Sequence, residues 1–515
     1  MKALVFNSCG FRFPQTNVMA EEIMELQSQA SDVVAVTCGG CLKSCFCNPE
    51  GYSAICAYCK ACQRNIYGQV GCGFRHAAIG RLDEKAKHDF KFKTIAEIKS
   101  ITYRDVYVGY GVLSDYASTT RSGNYVFEAS VVEYLKEKLD EACAYVDKVT
   151  DLFDRERPDI VSIFNGRFME ERAFFDIAKA RNIPVRVNEV VPDEPGVKGW
   201  RKIVFDGCLP HDIDANTKMI NDLWDASPLP ESERWKIGSD FFERRAVGKG
   251  ANNADIVFTQ DQQIGLLPEH FDRRAKNIVI FNSSEDEFVA IGREFDRHDI
   301  FPDQLSGIET ILEALRDTDY NVIVRIHPNL SGIDDSFVNR LYDLPRKYRN
   351  ATIIPPESRI SSYTLLENAE KVVTFGSTMG IEAVYWGKPS VLLRAAYYKN
   401  LDGCYKPRSR DEAISLLTQT LDPGGKEGAV RYGFWLMNRH LTGYKIEHFP
   451  DRLVSFKPKF LFGNYSTPHN LAVGGGPAIA TLIARFLVRM PWIISRRRVK
   501  CPKKVFCSFR TIVKR

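Results

Sequence analysis

The sequence predicts an α/β protein built as two doubly wound domains facing a cleft. Three observations predict it. The 515 residues exceed what one hydrophobic core usually supports. Strand-like apolar runs alternate with helical periodicity, the grammar of parallel sheets covered on both faces. That alternation weakens between Pro192 and Ala251 and then resumes, which divides the chain near residue 250.

The elements follow in order. Ala3 to Phe6 and Val33 to Thr37 read as strands separated by a helix around Asn17 to Gln29, a β-α-β unit. Cysteine-rich loop material is expected over 38–72, and Tyr103 to Gly109 reads as a strand ending in Gly109-Tyr-Gly111. A long periodic helix is expected from Phe127 to Val149. The strand from Asp159 then ends in the polar turn Asn165-Gly-Arg167, and a helix from Glu170 to Ala180 leads to a strand from Pro184 to Val190. A helical stretch around Ala215 to Trp224 lies in the weaker region.

In the second half, strands are expected at Asp255 to Thr259, Asn277 to Phe281, Asn321 to His327, Ala351 to Ile354, Lys371 to Phe375 and Ser390 to Leu393. Helices are expected near Gly307 to Leu315, Tyr363 to Asn368, Gly380 to Trp386 and Arg410 to Leu421. The domains are therefore set at 1–250, 251–460 and a tail at 461–515.

The net charge of +5 does not describe the body of the chain. Nine Lys or Arg and no acid lie between Arg496 and Arg515, so the remainder carries about −4. A nucleic-acid-binding body is not suggested. After Pro477, apolar residues recur at helical spacing beside that basic run, which reads as a helix for an anionic membrane surface or as one packed on the body. With no visible signal peptide, the expected place is the cytoplasm, at the inner face of a membrane where the tail binds one.

Of 14 cysteines, nine fall in the first 72 residues. In a reducing compartment this favours a metal site or reactive thiols over disulfides. The pairs Cys38/Cys41 and Cys56/Cys59 have the spacing to offer four thiolates to a structural zinc. The competing readings are small buried hydrophobes or an iron–sulfur site.

Two segments carry the strongest chemical signal. The strand ending at Ile326 meets His327-Pro328, and the proline stops the strand while projecting an imidazole from its carboxyl end. The strand Lys371 to Phe375 runs through Gly376 into Ser377-Thr378 and a helix bearing Glu382, a hydroxyl-rich turn suited to phosphate. It lacks the lysine of a triphosphate loop, so a diphosphate is the better fit. Glu382 can take a ribose diol or simply favour the helix start.

Together, Arg325-Ile-His-Pro, the run Glu367 to Ala383 and Gly387-Lys-Pro389 resemble bacterial capsule and surface-polysaccharide glycosyltransferases. More distantly they resemble capsular Kdo transferases and teichoic acid glycerol-phosphate polymerases. The resemblance implies a GT-B fold of two Rossmann-like domains. It implies a nucleotide-sugar donor held by Arg325, His327, Ser377, Thr378 and Glu382, with Ser283 and Ser284 on a family-like loop running to Glu287. Asn165 and Arg167 would face the acceptor, an oligosaccharide or lipid-linked glycan. Glu189, at a strand end, is the leading general base, with His211 and Asp212 in reserve; its alternative is a salt bridge to Arg186 or Arg167.

No strand leads into an Asp-x-Asp, so a divalent-metal donor site is not expected, and no essential cofactor is predicted beyond the donor substrate. Three other readings compete: a CDP-polyol phosphotransferase, a non-hydrolysing epimerase of similar architecture, and a non-catalytic cysteine-rich metal-binding assembly protein.

Overall fold

The computed structural model describes residues 1–445, except 13, 31, 84–86, 122–126, 195–198, 252–257, 260, 270 and 333–335. The first sheet collects β1 (Lys2–Asn7), β2 (Asp32–Thr37), β3 (Arg75–Ala78), β4 (Ile160–Phe164), β5 (Val185–Pro192) and β6 (Trp200–Asp206). The helices of this half of the chain are α1 (Gln15–Gln29), α2 (Ser53–Val70), α3 (Ile95–Lys99), α4 (Val108–Thr120), α5 (Ala129–Glu156), α6 (Met169–Ala180), α7 (Ile213–Asp225) and α8 (Glu231–Ala246).

The second sheet collects β7 (Lys276–Phe281), β8 (Tyr320–Arg325), β9 (Ala351–Ile354), β10 (Lys371–Thr374) and β11 (Ser390–Leu392). Around it lie α9 (Glu285–Phe288), α10 (Arg293–Asp296), α11 (Gln304–Ala314), α12 (Ser336–Lys347), α13 (Ser362–Glu367), α14 (Met379–Tyr385), α15 (Arg410–Thr418) and α16 (Glu427–Met437). A last short strand, β12 (Tyr444–Lys445), returns to the first sheet.

The strand orders are β12-β6-β5-β4-β1-β2-β3 and β11-β10-β7-β8-β9. The second sheet is parallel throughout, and in the first only β6 runs against the others, pairing antiparallel with β5 and with β12. These are two doubly wound α/β lobes flanking a cleft, as the alternating pattern predicted. Each order reverses beside its first strand, between β1 and β4 and between β7 and β10. Crevices at such reversals, at the strands' carboxyl ends, are where open α/β sheets hold ligands.

Period-two alternation builds the cores. In β1, Leu4 and Phe6 enter one cluster while Ala3 and Val5 enter the cluster on the opposite face. In β7, Ile278 and Ile280 face one side, and Val279 and Phe281 the other. A further apolar cluster joins Trp224 and Phe242 of α7 and α8 to Ile381 of α14 and Phe434 of α16, tying helices on either side of the chain crossing.

Two expected elements differ. No strand forms over Tyr103 to Gly109: Tyr103 and Val106 make an isolated bridge, and α4 begins at Val108. A Cβ on Gly109 would lie 1.8 Å from the Ile98 carbonyl oxygen and one on Gly111 2.8 Å from Met169 Cα, so these glycines serve close helix packing rather than a turn. The cysteine-rich stretch is not all loop, because Ile55, Cys59, Cys62 and Ile66 form the buried stripe of α2. The expected strand at Asp255 to Thr259 falls mostly outside the described residues, with Phe258 and Thr259 in a turn, and the tail at 461–515 lies wholly outside them. Among the described residues no helix is long and apolar enough to cross a membrane.

Candidate active site

A cavity of about 470 Å³ opens at the carboxyl ends of β1 and β4, at the first sheet's order reversal. Ser8, Arg12, Phe46, Asn165, Arg167, Phe168, Glu170, Glu171, Glu189 and His211 come from the first lobe, while Glu287, Phe288 and Tyr397 reach in from the second. One wall is a column of stacked planar groups. The Arg12 guanidinium sits 3.9 Å over Phe46, Phe46 stacks on Phe168 at 4.5 Å, and Arg167 lies 4.8 Å over Phe168.

The Asn-Gly turn after β4 places the acceptor candidates. Asn165 holds a left-handed φ of 60°, a conformation asparagine tolerates, and from there its amide donates to Glu189 Oε2 at 2.8 Å. Glu189 Oε1 accepts from Val190 N at 3.0 Å. Burial raises the Glu189 pKa, with the Asn165 hydrogen bond opposing. The alternative salt bridge does not form: Arg186 pairs with Glu22 and Glu25, each at 2.8 Å, and Arg167 donates to Glu287 O at 3.0 Å and Ser118 Oγ at 3.1 Å.

His211 lines the same cavity, its Nδ1 without a hydrogen-bond partner and its ring facing Tyr397. Burial, with Arg167 and Arg172 adding repulsion, lowers its pKa to about 3, so the ring is neutral and a weak base. Asp212 is not in the cavity wall. It caps α7, accepting from Ala215 N at 2.8 Å.

Three acids that the sequence reading passed over converge here. Glu170 and Glu171 are each 3% exposed in the first turn of α6, and Met169 N reaches Asp115 Oδ1 at 3.5 Å. Glu171 accepts from the Ser8 hydroxyl, and Gln15 donates to Ser8 at 3.4 Å. Burial raises the pKa of all three, and their neighbouring carboxyls add to the shifts of Glu170 and Asp115. Acids in a first helical turn ordinarily read as complements to the helix dipole, and burial is a tertiary fact. The signal that could have found them is the strand-order rule, which points to the ends of β1 and β4.

The second lobe's candidates form a separate cluster around the β7/β10 reversal. His327 N donates to Asn282 Oδ1 at 2.8 Å, and His327 Nδ1 accepts from Asn329 N at 3.1 Å, which leaves the ring proton on Nε2. Burial, with repulsion from Arg325, Arg121 and Arg245, lowers its pKa to about 4. Asn329 also donates to Ser284 Oγ at 3.4 Å and Glu287 Oε1 at 3.0 Å, so Glu287 joins this cluster to the cavity.

Other candidates are engaged within the lobe. Arg325 is 2% exposed and donates to the carbonyls of Pro355 and Ser358. Ser283 Oγ donates to Phe375 O at 3.0 Å. Ser377 Oγ accepts from Met379 N at 3.3 Å. Glu382 is fully buried, bonded by Arg245 at 3.1 Å, by Thr378 Oγ1 at 3.0 Å and by Tyr363 OH.

The zinc expectation is overturned: among the described residues no group of His, Cys, Asp or Glu is placed to hold a metal ion. Cys59 Sγ accepts from Gly10 N at 3.1 Å and bonds with Cys9, which also bonds with Cys47, while Cys56 Sγ accepts from Asn48 at 3.2 Å and Cys38 Sγ from Gly40 N at 3.4 Å. Burial holds Cys38 well above the usual thiol range and pushes Cys41 up to about 12.

The family model described as capsule polysaccharide biosynthesis protein matches residues 257–407. No curated protein matches the chain. Among solved structures, Thermosulfurimonas dismutans KpsC, a β-Kdo 2,4 transferase, is 13% identical over 54% of this chain and 80% of its own, with a TM-score of 0.31. Neisseria meningitidis UDP-GlcNAc 2-epimerase is 12% identical over 86% of this chain and 99% of its own, at a TM-score of 0.26. The stretch 257–407, which contains the His-Pro and Gly-Ser-Thr segments, is therefore distantly homologous to capsule polysaccharide biosynthesis proteins.

Proposed function

We propose that this chain is a glycosyltransferase that moves a sugar from a nucleotide-sugar donor to a hydroxyl of a growing surface polysaccharide or lipid-linked glycan. The observation that carries the reading is the placement of the two polar clusters. The first-lobe cavity is closed by Glu287, Phe288 and Tyr397 of the second lobe, and Asn329 links Glu287 to His327. A donor on the second lobe would thus present its sugar to an acceptor in the cavity.

In this reading residues 1–250 bind the acceptor and 251–460 the donor. His327 donates its Nε2 proton to a donor phosphate oxygen. Ser377 and Thr378 face the phosphates, while Ser283, Ser284, Arg325 and Glu382 fix the loops and the short helix that surround them. The carboxyls and other polar groups of the cavity suit a polyhydroxylated acceptor. During transfer the bond from the anomeric carbon to phosphate breaks, its electron pair leaving with the phosphate. The acceptor oxygen bonds to the same carbon, and its proton passes to a cavity carboxylate. Fixed donors around the leaving phosphate lower the barrier because they need no reorganisation.

Calorimetric titration with UDP-, GDP-, CMP- and CDP-linked sugars tests the donor assignment. One of these classes is expected to bind, with affinity reduced about tenfold or more in His327→Ala, the scale of one lost hydrogen bond to a charged group. Binding of none, or binding indifferent to His327→Ala, contradicts it.

A further inference from the structure

We infer that the acceptor's proton goes to Glu171, and that Glu189 holds the acceptor rather than deprotonating it. The inference rests on the transferase reading and assigns the roles within its cavity.

The two carboxylates line one cavity but are bonded differently. Both Glu189 oxygens already accept from N–H donors, Asn165 and Val190. Such bonds favour the anion, oppose the rise that burial gives Glu189 and occupy both of its oxygens. Glu171 accepts from the Ser8 hydroxyl and from its own backbone N–H, and its Oε2 is buried with no partner. At 3% exposure, an unpartnered carboxylate oxygen in a cavity wall is costly unless something fills the place. Arg167 Nε and His211 Nδ1, of two other residues lining the cavity, are also buried without partners.

Burial raises the proton affinity of Glu171, with the Ser8 hydrogen bond and its own backbone N–H opposing. Glu170 and Asp115 are its acidic neighbours and Tyr145 is buried beside them, whereas Arg12 opposes the rise directly and Lys138 acts on Glu170 and Asp115. The step then balances simply: the acceptor O–H proton passes to Glu171 Oε2 as the acceptor oxygen bonds to the anomeric carbon and the phosphate leaves with the electron pair. Ser8, to which Gln15 donates, holds Oε1 and leaves Oε2 as the unpartnered oxygen.

The test measures nucleotide release and sugar transfer by the full chain with the four donor classes above, comparing wild type, Glu171→Gln, Glu189→Gln and Ser8→Ala. Glu171→Gln is expected to lower kcat about 100-fold or more with KM within a few-fold, and Glu189→Gln to act mainly on acceptor KM. Ser8→Ala is expected to lower kcat about tenfold, and formate is expected to restore part of the turnover of Glu171→Ala, which a purely structural role would not permit. Glu171→Gln that is folded and keeps kcat within threefold of wild type overturns the inference alone. So does loss of kcat in Glu189→Gln with Glu171→Gln active. A wild type silent with every donor overturns the transferase reading and this inference with it.

Discussion

His211 and His327 show what single residues reveal and conceal. His327 was legible because a strand running into His-Pro places an imidazole at a sheet's carboxyl end, and the structure has it there as the neutral ring. Both histidines have pKa values depressed by burial, to about 3 and about 4. The unfolded chain therefore binds more protons than the fold below about pH 6.5, and stability contributed by the neutral rings is lost as pH falls toward 4 and then 3. Urea unfolding across that window is expected to show a falling free energy whose slope is shallower in His211→Asn; an unchanged slope contradicts the assignment. Glu382 was legible as an acid near a helix start, but not as the buried partner of Arg245, 137 positions away. Pairing across such a separation has no local signature.

At the scale of elements, regular alternation made most of both sheets readable, because apolar runs of strand length need no context to be recognised. The miss at Tyr103 to Gly109 has a physical cause. Aromatic and β-branched residues favour strands, but the packing of α4 on α6 overrides that preference, and Gly-Tyr-Gly reads as a turn although it permits close approach. The close packing of Gly111 on Met169 sets the start of α6 and hence Glu170 and Glu171. Gly111→Val is expected to lower stability by about 1–3 kcal/mol through overpacking and to reduce transfer more than donor binding. Equal loss of both would contradict that placement. Burial raises the pKa of Glu170, so the folded state holds a proton the unfolded chain releases, and stability falls as pH rises through that window. Glu170→Gln is accordingly expected to raise Tm at pH 8 relative to wild type and to change it little at pH 4; a lower Tm at both would count against it.

Across the whole molecule, the lobes meet through charged contacts that no local pattern announces. Arg121 pairs with Asp286 at 2.7 Å, Lys99 with Asp296 at 2.6 Å, and Tyr110 OH donates to the same Asp296 at 2.9 Å. The Asp286 side chain is 1% exposed, so Arg121→Ala leaves a buried charge without its partner and is expected to cost about 3 kcal/mol. Small-angle scattering should show a larger radius of gyration for that variant, and an unchanged radius would mean these pairs do not hold the cleft. The sequence could place a polar cluster in each half, but the closure of one lobe's cavity by Glu287, Phe288 and Tyr397 of the other appears only in three dimensions. The most direct test of the central claim is the release of free nucleotide from UDP-, GDP-, CMP- and CDP-linked sugars in the presence of an oligosaccharide acceptor. Turnover of one class, weakened by His327→Ala, is the predicted result; no release from any of them by folded protein would contradict it.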